Sequence, residues 1–270
     1  TSVKIGHDLL SKADRIQSDR RASLDRVGFY AEELAASNNW VISGKRTADG
    51  KPILANDPHL RPSAPGIWYL THLESPAVRV AGVTFPGVPG IVLGHNERIA
   101  WGATNVGPDV QDLYLETMNE AGEVKTPDGW AKPGSRKETI HVRANPLKPD
   151  TTPEVIDVLE TPSGPVILED GAKRYSLRWT ALDPKNNDFA AFFLLNRARS
   201  WTEFRSALST YRGASQNFVY ADVDGKIGWQ IAGAIPMRRT GDGSLPYDGS
   251  TRDGDWTGVI PFDELPSVFD

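Results

Sequence analysis

Two hydrophobic patterns divide the chain near residue 36. Between residues 7 and 36, apolar residues recur every three or four positions, which predicts one or two amphipathic helices. From Trp40 onward, short apolar runs are separated by Gly, Pro and Asp, which is typical of strands joined by turns. We therefore expect an α+β protein in which residues 1–36 are distinct from residues 37–270.

The strand predictions include two hairpins and seven shorter runs. The hairpins are predicted at residues 40–55, around Thr47-Ala48-Asp49-Gly50, and at residues 218–231, around Asp222-Val223-Asp224-Gly225. Further strands are predicted at residues 67–73, 78–85, 90–93, 99–102, 139–142, 155–159 and 175–179.

A helix is predicted to begin after Ser200. Ser200 and Glu203 have the spacing of a capping box, and Phe204, Leu208 and Tyr211 continue an apolar face beyond it.

Composition excludes several kinds of site. The chain has no cysteine, so it has neither disulfides nor a thiolate nucleophile. The net charge is −5 and the basic residues are dispersed, which argues against nucleic acid as a partner. No apolar run approaches the ~18 residues of a membrane span. Residues 1–5 lack an apolar signal core, so the signal of an exported parent protein is expected to lie outside this chain.

Serine is a candidate nucleophile at the boundary between the two patterns. A serine needs a base, and one that begins a chain can use its own α-amine, whose pKa of ~8 suits neutral pH. The segment Ser37-Asn38-Asn39-Trp40 lies where the predicted helix meets the first hairpin. A serine in such a segment is by itself more often a linker or helix-cap residue, and Thr1 is a second, weaker candidate for the same chemistry.

Several motifs around Ser37 resemble the penicillin acylase family of N-terminal-nucleophile (Ntn) hydrolases. The resemblance runs in order through SNNWV at 37–41, NDPHL at 56–60, FPGVPG at 85–90, GHNERIAWG at 94–102, TNVGPDVQD at 104–112, QNFVYAD at 216–222 and GVIPFDELP at 258–266. It implies an Ntn-hydrolase four-layer αββα sandwich, here truncated. It also implies self-cleavage between Ala36 and Ser37, with residues 1–36 as the end of an α chain or spacer and 37–270 as the first part of a β chain.

The resemblance assigns catalytic roles to four positions. Ser37 is the expected nucleophile, and His59 is expected to orient it, as in the histidine-bearing branch of acyl-homoserine-lactone and cephalosporin acylases. Asn105 and Val106 match the loop whose backbone N–H enters the oxyanion hole. His59 taken alone is more often an ordinary loop histidine, and His95 is expected to have a structural role with its ring bonded to backbone.

The resemblance also implies a structural Ca²⁺ and an acyl pocket. The expected calcium ligands are the side chains of Asp109 and Asp112 and the backbone carbonyls of Gln111 and Pro236, although two aspartates three residues apart are more often a solvated turn. The expected pocket residues, each also a plausible core residue, are Leu60, Trp68, Leu93 and Ala103.

The implied function is hydrolysis of a linear N-acyl amide, such as a β-lactam side chain, an acyl-homoserine lactone or a lipopeptide. A periplasmic or secreted location and a partnership with the remaining α and β chains come with it. The asparagine that supplies the second oxyanion donor in the family lies beyond residue 270, so we expect the isolated chain to be poorly active. Two alternatives stay open: an Ntn-type fragment acting as a precursor-like or binding module, and a carbohydrate-binding β-protein that uses some of the eight Trp.

Overall fold

The computed structural model describes residues 36–60, 64–145 and 147–270. The helices expected between residues 7 and 35 lie outside these ranges, and residue 36 begins a strand instead of ending a helix. The described residues contain the strands β1 Ala36–Ile42, β2 Ile53–His59, β3 Tyr69–Ser75, β4 Val78–Thr84, β5 Leu93–Asn96, β6 Ile99–Asn105, β7 Gln111–Glu116, β8 Val124–Thr126, β9 Gly129–Ala131, β10 Gly134–Val142, β11 Thr152–Thr161, β12 Gly164–Asp170, β13 Lys173–Trp179, β14 Gln216–Asp222, β15 Ile227–Ala232, β16 Pro236–Arg238, β17 Tyr247–Asp248, β18 Trp256–Val259 and β19 Ser267–Phe269. The α-helices are α1 Asp188–Leu195 and α2 Trp201–Leu208.

Contacts divide the chain into two units. One unit comprises residues 109–182 and 236–258, and the other contains the remaining described residues. The first unit is built on a six-stranded sheet of order β10-β11-β12-β13-β7-β17, in which β17 pairs with β7 in parallel. Within the ranges that the structure describes, none of the helices has the length and apolar character of a membrane span.

The second unit is built on a seven-stranded antiparallel sheet of order β19-β15-β14-β6-β5-β4-β3. The helices α1 and α2 cover one face of this sheet. Because side chains alternate across a strand, the odd-numbered residues of β6 and the even-numbered residues of β14 point to that face. The core there contains Trp101, Phe204, Leu208, Phe218 and Tyr220, which are almost completely buried.

The hairpin of β1 and β2 lies on the opposite face of the same sheet. Its strands pair in register from Ala36 with His59 to Ile42 with Ile53, and both strands contact β6. Gly102 of β6 makes this contact close, because a Cβ at that position would lie 2.7 Å from the Cβ of Asn56 in β2. Helices, sheet and hairpin therefore form three successive layers in the described residues of this unit.

The observed elements confirm most of the predicted strands. Both predicted hairpins are present, as β1–β2 and β14–β15. The strand predicted at 90–93 begins later, at Leu93, because Ile91 is held by the side chain of Asn196 instead of by a neighbouring strand. The helix after Ser200 is confirmed: its hydroxyl accepts from the N–H of Glu203 at 3.3 Å.

Helix α1 is missing from the sequence predictions. Its segment, DFAAFFLL, is almost uniformly apolar, so it shows no polar face with a helical period. The remaining start signal is Asn187, whose side chain accepts from the N–H of Ala190 at 3.3 Å and caps the helix.

Candidate active site

Ser37 is the second residue of β1 and lies at the end of the hairpin that faces away from the turn. Its cross-strand partner is Pro58. Ala36, which precedes it, pairs with His59. While it is bonded to Ala36, the nitrogen of Ser37 is an amide nitrogen and cannot accept a proton.

Ser37 lies in the wall of a cavity of about 960 Å³. A cavity of this size lies within the range that small-molecule sites in proteins usually have. The side of the cavity nearest the hairpin is formed by Ser37, Pro58 and Leu60. The rest of the wall is mostly apolar and aromatic, and it includes Trp68, Phe85, Leu93, Ala103, Phe189, Phe192, Tyr211 and Phe218.

Aromatic contacts hold this wall together. Trp68 and Phe85 stack with their ring centroids 4.5 Å apart. On the other side, Tyr211 meets Phe192 and Phe218 edge to face, at 5.8 and 5.6 Å. Such pairs are favoured by the ring quadrupole, and they leave little freedom for individual rings. The cavity is therefore suited to an apolar group and bounded by side chains that hold one another in place.

Two polar side chains of the wall, those of Tyr211 and Asp188, are engaged with the protein. The hydroxyl of Tyr211 donates to the carbonyl of Ala214 at 2.8 Å, and burial, with the nearby charge of Asp188, raises the pKa of Tyr211. Tyr211 therefore stays protonated at neutral pH and does not serve as a base there. Oδ1 of Asp188 accepts from the backbone N–H groups of Arg212 and Gly213, at 2.8 and 2.9 Å, and so ties α1 to the loop that follows α2.

Asn105 and Val106 lie at the end of β6, and their N–H groups point to opposite edges of the strand. The N–H of Val106 donates to the carbonyl of Ser215 at 2.9 Å. The N–H of Ala103 points to the other edge and donates to Oδ1 of Asn56 at 3.0 Å. Because N–H groups alternate along a strand, that of Asn105 lies on the edge of Ala103. Asn105 also lines the cavity, so of the two N–H groups it is that of Asn105 that lies on the free edge beside the cavity.

His59 follows the cross-strand partner of Ser37 by one residue. Its Nε2 lies 2.7 Å from Oδ2 of Asp57, and both side chains are at least half exposed. Pro58 and Leu60 point toward the cavity, so His59, between them, points to the other face of β2. The structure thus brings Ser37 and Asn105 to one cavity and places the ring of His59 beside Asp57 instead.

His95 has the structural placement expected from the sequence. Its Nδ1 lies 3.2 Å from the backbone oxygen of Asn96.

The residues expected to bind calcium belong to the other unit, and the two aspartates among them pair with Arg238. Asp112 is buried, and both of its carboxylate oxygens are contacted by Nε of Arg238, at 3.1 and 2.9 Å. Trp256 Nε1 donates to the same carboxylate, and Arg238 also donates to the backbone oxygen of Asp109 at 3.0 Å.

The expected calcium site stays a prediction, and in the described residues the carboxylate of Asp112 is bonded to Arg238. The described residues contain no group of three or more His, Asp or Glu that could hold a metal. Gln111 pairs with Trp179 in the sheet, and Pro236 begins β16. The guanidinium of Arg238 lies 2.9 Å from the carboxylate of Asp112 and 3.9 Å from that of Asp109, so it supplies positive charge to both.

Several cavity residues carried no role in the sequence predictions. Phe189 and Phe192 belong to the helix that the hydrophobic pattern did not reveal, and Phe85, Tyr211 and Gln216 come from separate parts of the chain. Asn56 was part of a quoted motif, but nothing in its spacing indicated that it would bond to β6. Only the tertiary fold brings these residues together.

Comparison with known proteins gives consistent results. The profile of the penicillin amidase family matches residues 4–270. An acyl-homoserine lactone acylase named QuiP, from Pseudomonas aeruginosa, is 35% identical over 242 residues, which cover 83% of this chain and 28% of that protein. The penicillin acylase 2 proenzyme of Pseudomonas sp. strain SE83 is 32% identical over 284 residues, covering 98% of this chain and 36% of that protein.

A solved structure matches the fold as well. The thermostable penicillin G acylase from Alcaligenes faecalis superposes with a TM-score of 0.76 and 28% identity, over 87% of this chain and 42% of that one. The fold is therefore the α+β fold of the Ntn hydrolases. The chain spans only about a third of the length of the curated relatives, 28% and 36% in the two named above. Since the family profile matches nearly every residue, the chain belongs to the penicillin amidase family.

Proposed function

We propose that the protein hydrolyses a linear N-acyl amide through an acyl-enzyme formed on Ser37. The observation that carries the proposal is the position of Ser37, at the start of a strand and in the wall of a largely apolar cavity of about 960 Å³. An acyl chain fits such a wall because burying apolar surface is favourable by about 25 cal/mol per Å². The names of the relatives, acyl-homoserine lactone acylase and penicillin acylase, describe amides of this class.

Activation begins with the peptide bond between Ala36 and Ser37. Hydrolysis of that bond consumes one water and converts the amide nitrogen of Ser37 into an α-amine, which titrates near pH ~8 and can accept the proton of the serine hydroxyl. A relative described as a proenzyme supports a processing step. Residues 1–36 then end one chain, and Ser37 begins the next.

The reaction follows from the groups around the cavity. Oγ of Ser37 attacks the amide carbonyl while the α-amine takes its proton and later passes it to the leaving amine. The backbone N–H of Asn105 supports the developing oxyanion, since that of Val106 is bonded to Ser215. Water then attacks the acyl-enzyme and releases the carboxylic acid. His59 is held by Asp57 at the end of β2. It influences Ser37 only indirectly, through the position of that end of the strand.

The proposal is tested on the complete protein that contains this chain. Intact mass and N-terminal sequencing should reveal a chain beginning Ser-Asn-Asn-Trp, and release of free amine from a series of N-acyl amides with short, long and arylacetyl groups should report turnover. Ser37→Ala should abolish both cleavage and amine release. Amine release that persists in Ser37→Ala would overturn the proposal, and cleavage without amine release would favour the binding-module alternative. The proposal includes export to the periplasm, which fractionation of the host cells checks.

A further inference from the structure

The side chain of Asn56 joins the β1–β2 hairpin, which contains Ser37, to β6 of the sheet. Nδ2 of Asn56 in β2 donates to the backbone oxygen of Asn38 in β1 at 3.0 Å and to that of Ala103 in β6 at 3.1 Å. Its Oδ1 accepts from the N–H of Ala103 at 3.0 Å. A single side chain therefore bonds to three backbone groups on two neighbouring strands.

The edge of β6 is open where Asn56 binds. β5 pairs with β6 only through Gly94 with Trp101 and His95 with Ala100, whereas β6 continues to Asn105. Beyond Trp101, no strand of the described residues pairs with that edge of β6, and a backbone group left unpaired there carries a free-energy cost. The side-chain amide of Asn56 bonds to the N–H and the carbonyl of Ala103, where the backbone of a neighbouring strand would otherwise bond.

The bonded atoms are close in sequence to both reacting groups. Asn38 directly follows Ser37, and Ala103 precedes Asn105 by two residues on the same edge of β6. A strand rises by about 3.3 Å per residue, so each anchor lies within about two residues' rise of the group that it holds. The side chain of Asn56 thus fixes the distance between the serine and the expected oxyanion donor.

We infer that Asn56 is a positioning residue, which sets the separation between Oγ of Ser37 and the N–H of Asn105. This inference rests on the proposed function and deepens it. Asn56 does not touch the reacting atoms. Its loss lets β1 move relative to β6, and a displacement of about 1 Å at a reacting centre can cost on the order of 10²-fold in rate.

The chain provides a matched control for this amide. Asn196 makes the same two bonds with the backbone of one residue of the same unit: Oδ1 accepts from the N–H of Ile91, and Nδ2 donates to its carbonyl, both at 2.7 Å. Asn196 does not contact β1 or β2 through these bonds. Removing it has a comparable or larger effect on stability, but it does not release Ser37 from β6.

The experiment compares Asn56→Ala with Asn196→Ala in the complete protein. Both variants should unfold at lower temperature than the wild type. In Asn56→Ala, kcat per titrated serine should fall by about 10- to 100-fold with KM changed much less. The reason is that acyl binding depends on the cavity wall and not on the hydrogen bonds of Asn56. In Asn196→Ala, kcat per titrated serine should equal that of the wild type. Hydrogen exchange of the segment 37–40 should accelerate in Asn56→Ala alone.

Failure of the inference is distinguishable from failure of the proposed function. A wild type that turns over amides, together with an Asn56→Ala variant that keeps its kcat and its exchange rates, overturns the positioning role and leaves the function intact. If the wild type releases no amine, the proposed function fails. Equal exchange rates of segment 37–40 in the wild type and in Asn56→Ala would overturn the positioning role of Asn56 as well. If Asn56→Ala does not fold, Gly102→Ala displaces the same side chain from β6 and should give the same loss of kcat.

Discussion

Replacing Arg238 with methionine removes the cation that is bonded to the buried carboxylate of Asp112 and leaves Arg178, its cross-strand partner, as the neighbouring cation. The side chain of Asp112 is 0% exposed and that of Arg238 is 9% exposed, so water reaches neither group freely. Gly243 lies directly over the pair, because a Cβ there would be 2.3 Å from Oδ1 of Asp112. The site therefore cannot open to solvent without a backbone movement.

The size of the effect follows from these contacts. Removing one partner of a buried ion pair typically costs about 3–5 kcal/mol, because the remaining charge loses its compensation. Trp256 continues to donate to Asp112 and offsets a part of this cost. For a protein of this size, 1 kcal/mol corresponds to a shift of roughly 2–4 °C in Tm. We therefore expect Arg238→Met to lower Tm by about 10 °C.

The assay is thermal unfolding at neutral pH, followed by circular dichroism, of wild type and three variants: Arg238→Met, Asp112→Asn and the double variant. Each measurement is made in EDTA and in Ca²⁺. The wild-type Tm should be the same in both, because the guanidinium already balances the carboxylates. In Arg238→Met, Ca²⁺ should raise Tm, since Asp109 and Asp112 are then free to act as hard oxygen ligands. The double variant should recover part of the loss, because it leaves no buried charge unpaired.

Two results would refute this reasoning. A Tm of Arg238→Met equal to that of the wild type would show that the carboxylate is not dependent on the arginine. A wild-type Tm that falls in EDTA and is restored by Ca²⁺ would show that a metal, and not Arg238, neutralises Asp109 and Asp112.

Three further predictions concern the unit that contains Ser37. The N–H of Lys185 and the guanidinium of Arg212 hold the pKa of Asp183 below its usual 3.8. Asp183→Asn should therefore lower the free energy of unfolding by up to about 1 kcal/mol at neutral pH. In urea titrations from pH 7 to pH 2, this difference between wild type and variant should vanish as the pH falls through the folded-state pKa. Ala103→Leu narrows the cavity, so kcat/KM for long acyl groups should fall by about 10-fold relative to short ones in competition assays. Gly228→Ala would place a Cβ 2.6 Å from the ring of Trp201, and denaturant unfolding should show a loss of about 1–3 kcal/mol; equal midpoints would contradict the close contact.

The sequence was informative wherever a local pattern decides the structure. The hairpins at β1–β2 and β14–β15 were predicted because their turn residues leave few alternatives for the backbone. Ser200 was predicted as a helix cap from its spacing to Glu203 alone. The structure adds one detail: the carboxylate of Glu203 accepts from the N–H of Arg199 at 2.7 Å, one residue before the cap.

The candidate site was predictable in part, because its motifs can be identified in the sequence. The contacts between these motifs join distant parts of the chain, and the sequence does not show them. Leu60, Trp68, Leu93 and Ala103 were expected at an acyl pocket, and the structure places all four at the wall that contains Ser37. Their role in binding stays a prediction. The placement of His59 follows from strand alternation relative to Pro58, which depends on the register of the hairpin.

Long-range pairing explains what the sequence did not reveal. The arginine that pairs with Asp112 lies 126 residues further along the chain. The spacing of the two aspartates therefore does not indicate that an arginine binds them. Asn56 and Ala103 are 47 residues apart, and only the early end of β5 leaves an edge for the amide to fill. Such contacts depend on where neighbouring strands stop, which no local pattern encodes.

The way in which the hairpin is attached to the sheet has a consequence for variation of this site. Two strands that share a backbone ladder can change their alignment only in steps of two residues, because a single step turns every side chain to the wrong face. The β1–β2 hairpin is joined to β6 and β14 through the amides of Asn56 and of Asn39, which donates to the carbonyl of Asn217 at 3.0 Å. An attachment through side chains does not restrict the alignment of the strands to steps of two residues. Substitutions at these two positions can therefore adjust the height of Ser37 above the sheet by fractions of an ångström, while both ladders keep their register.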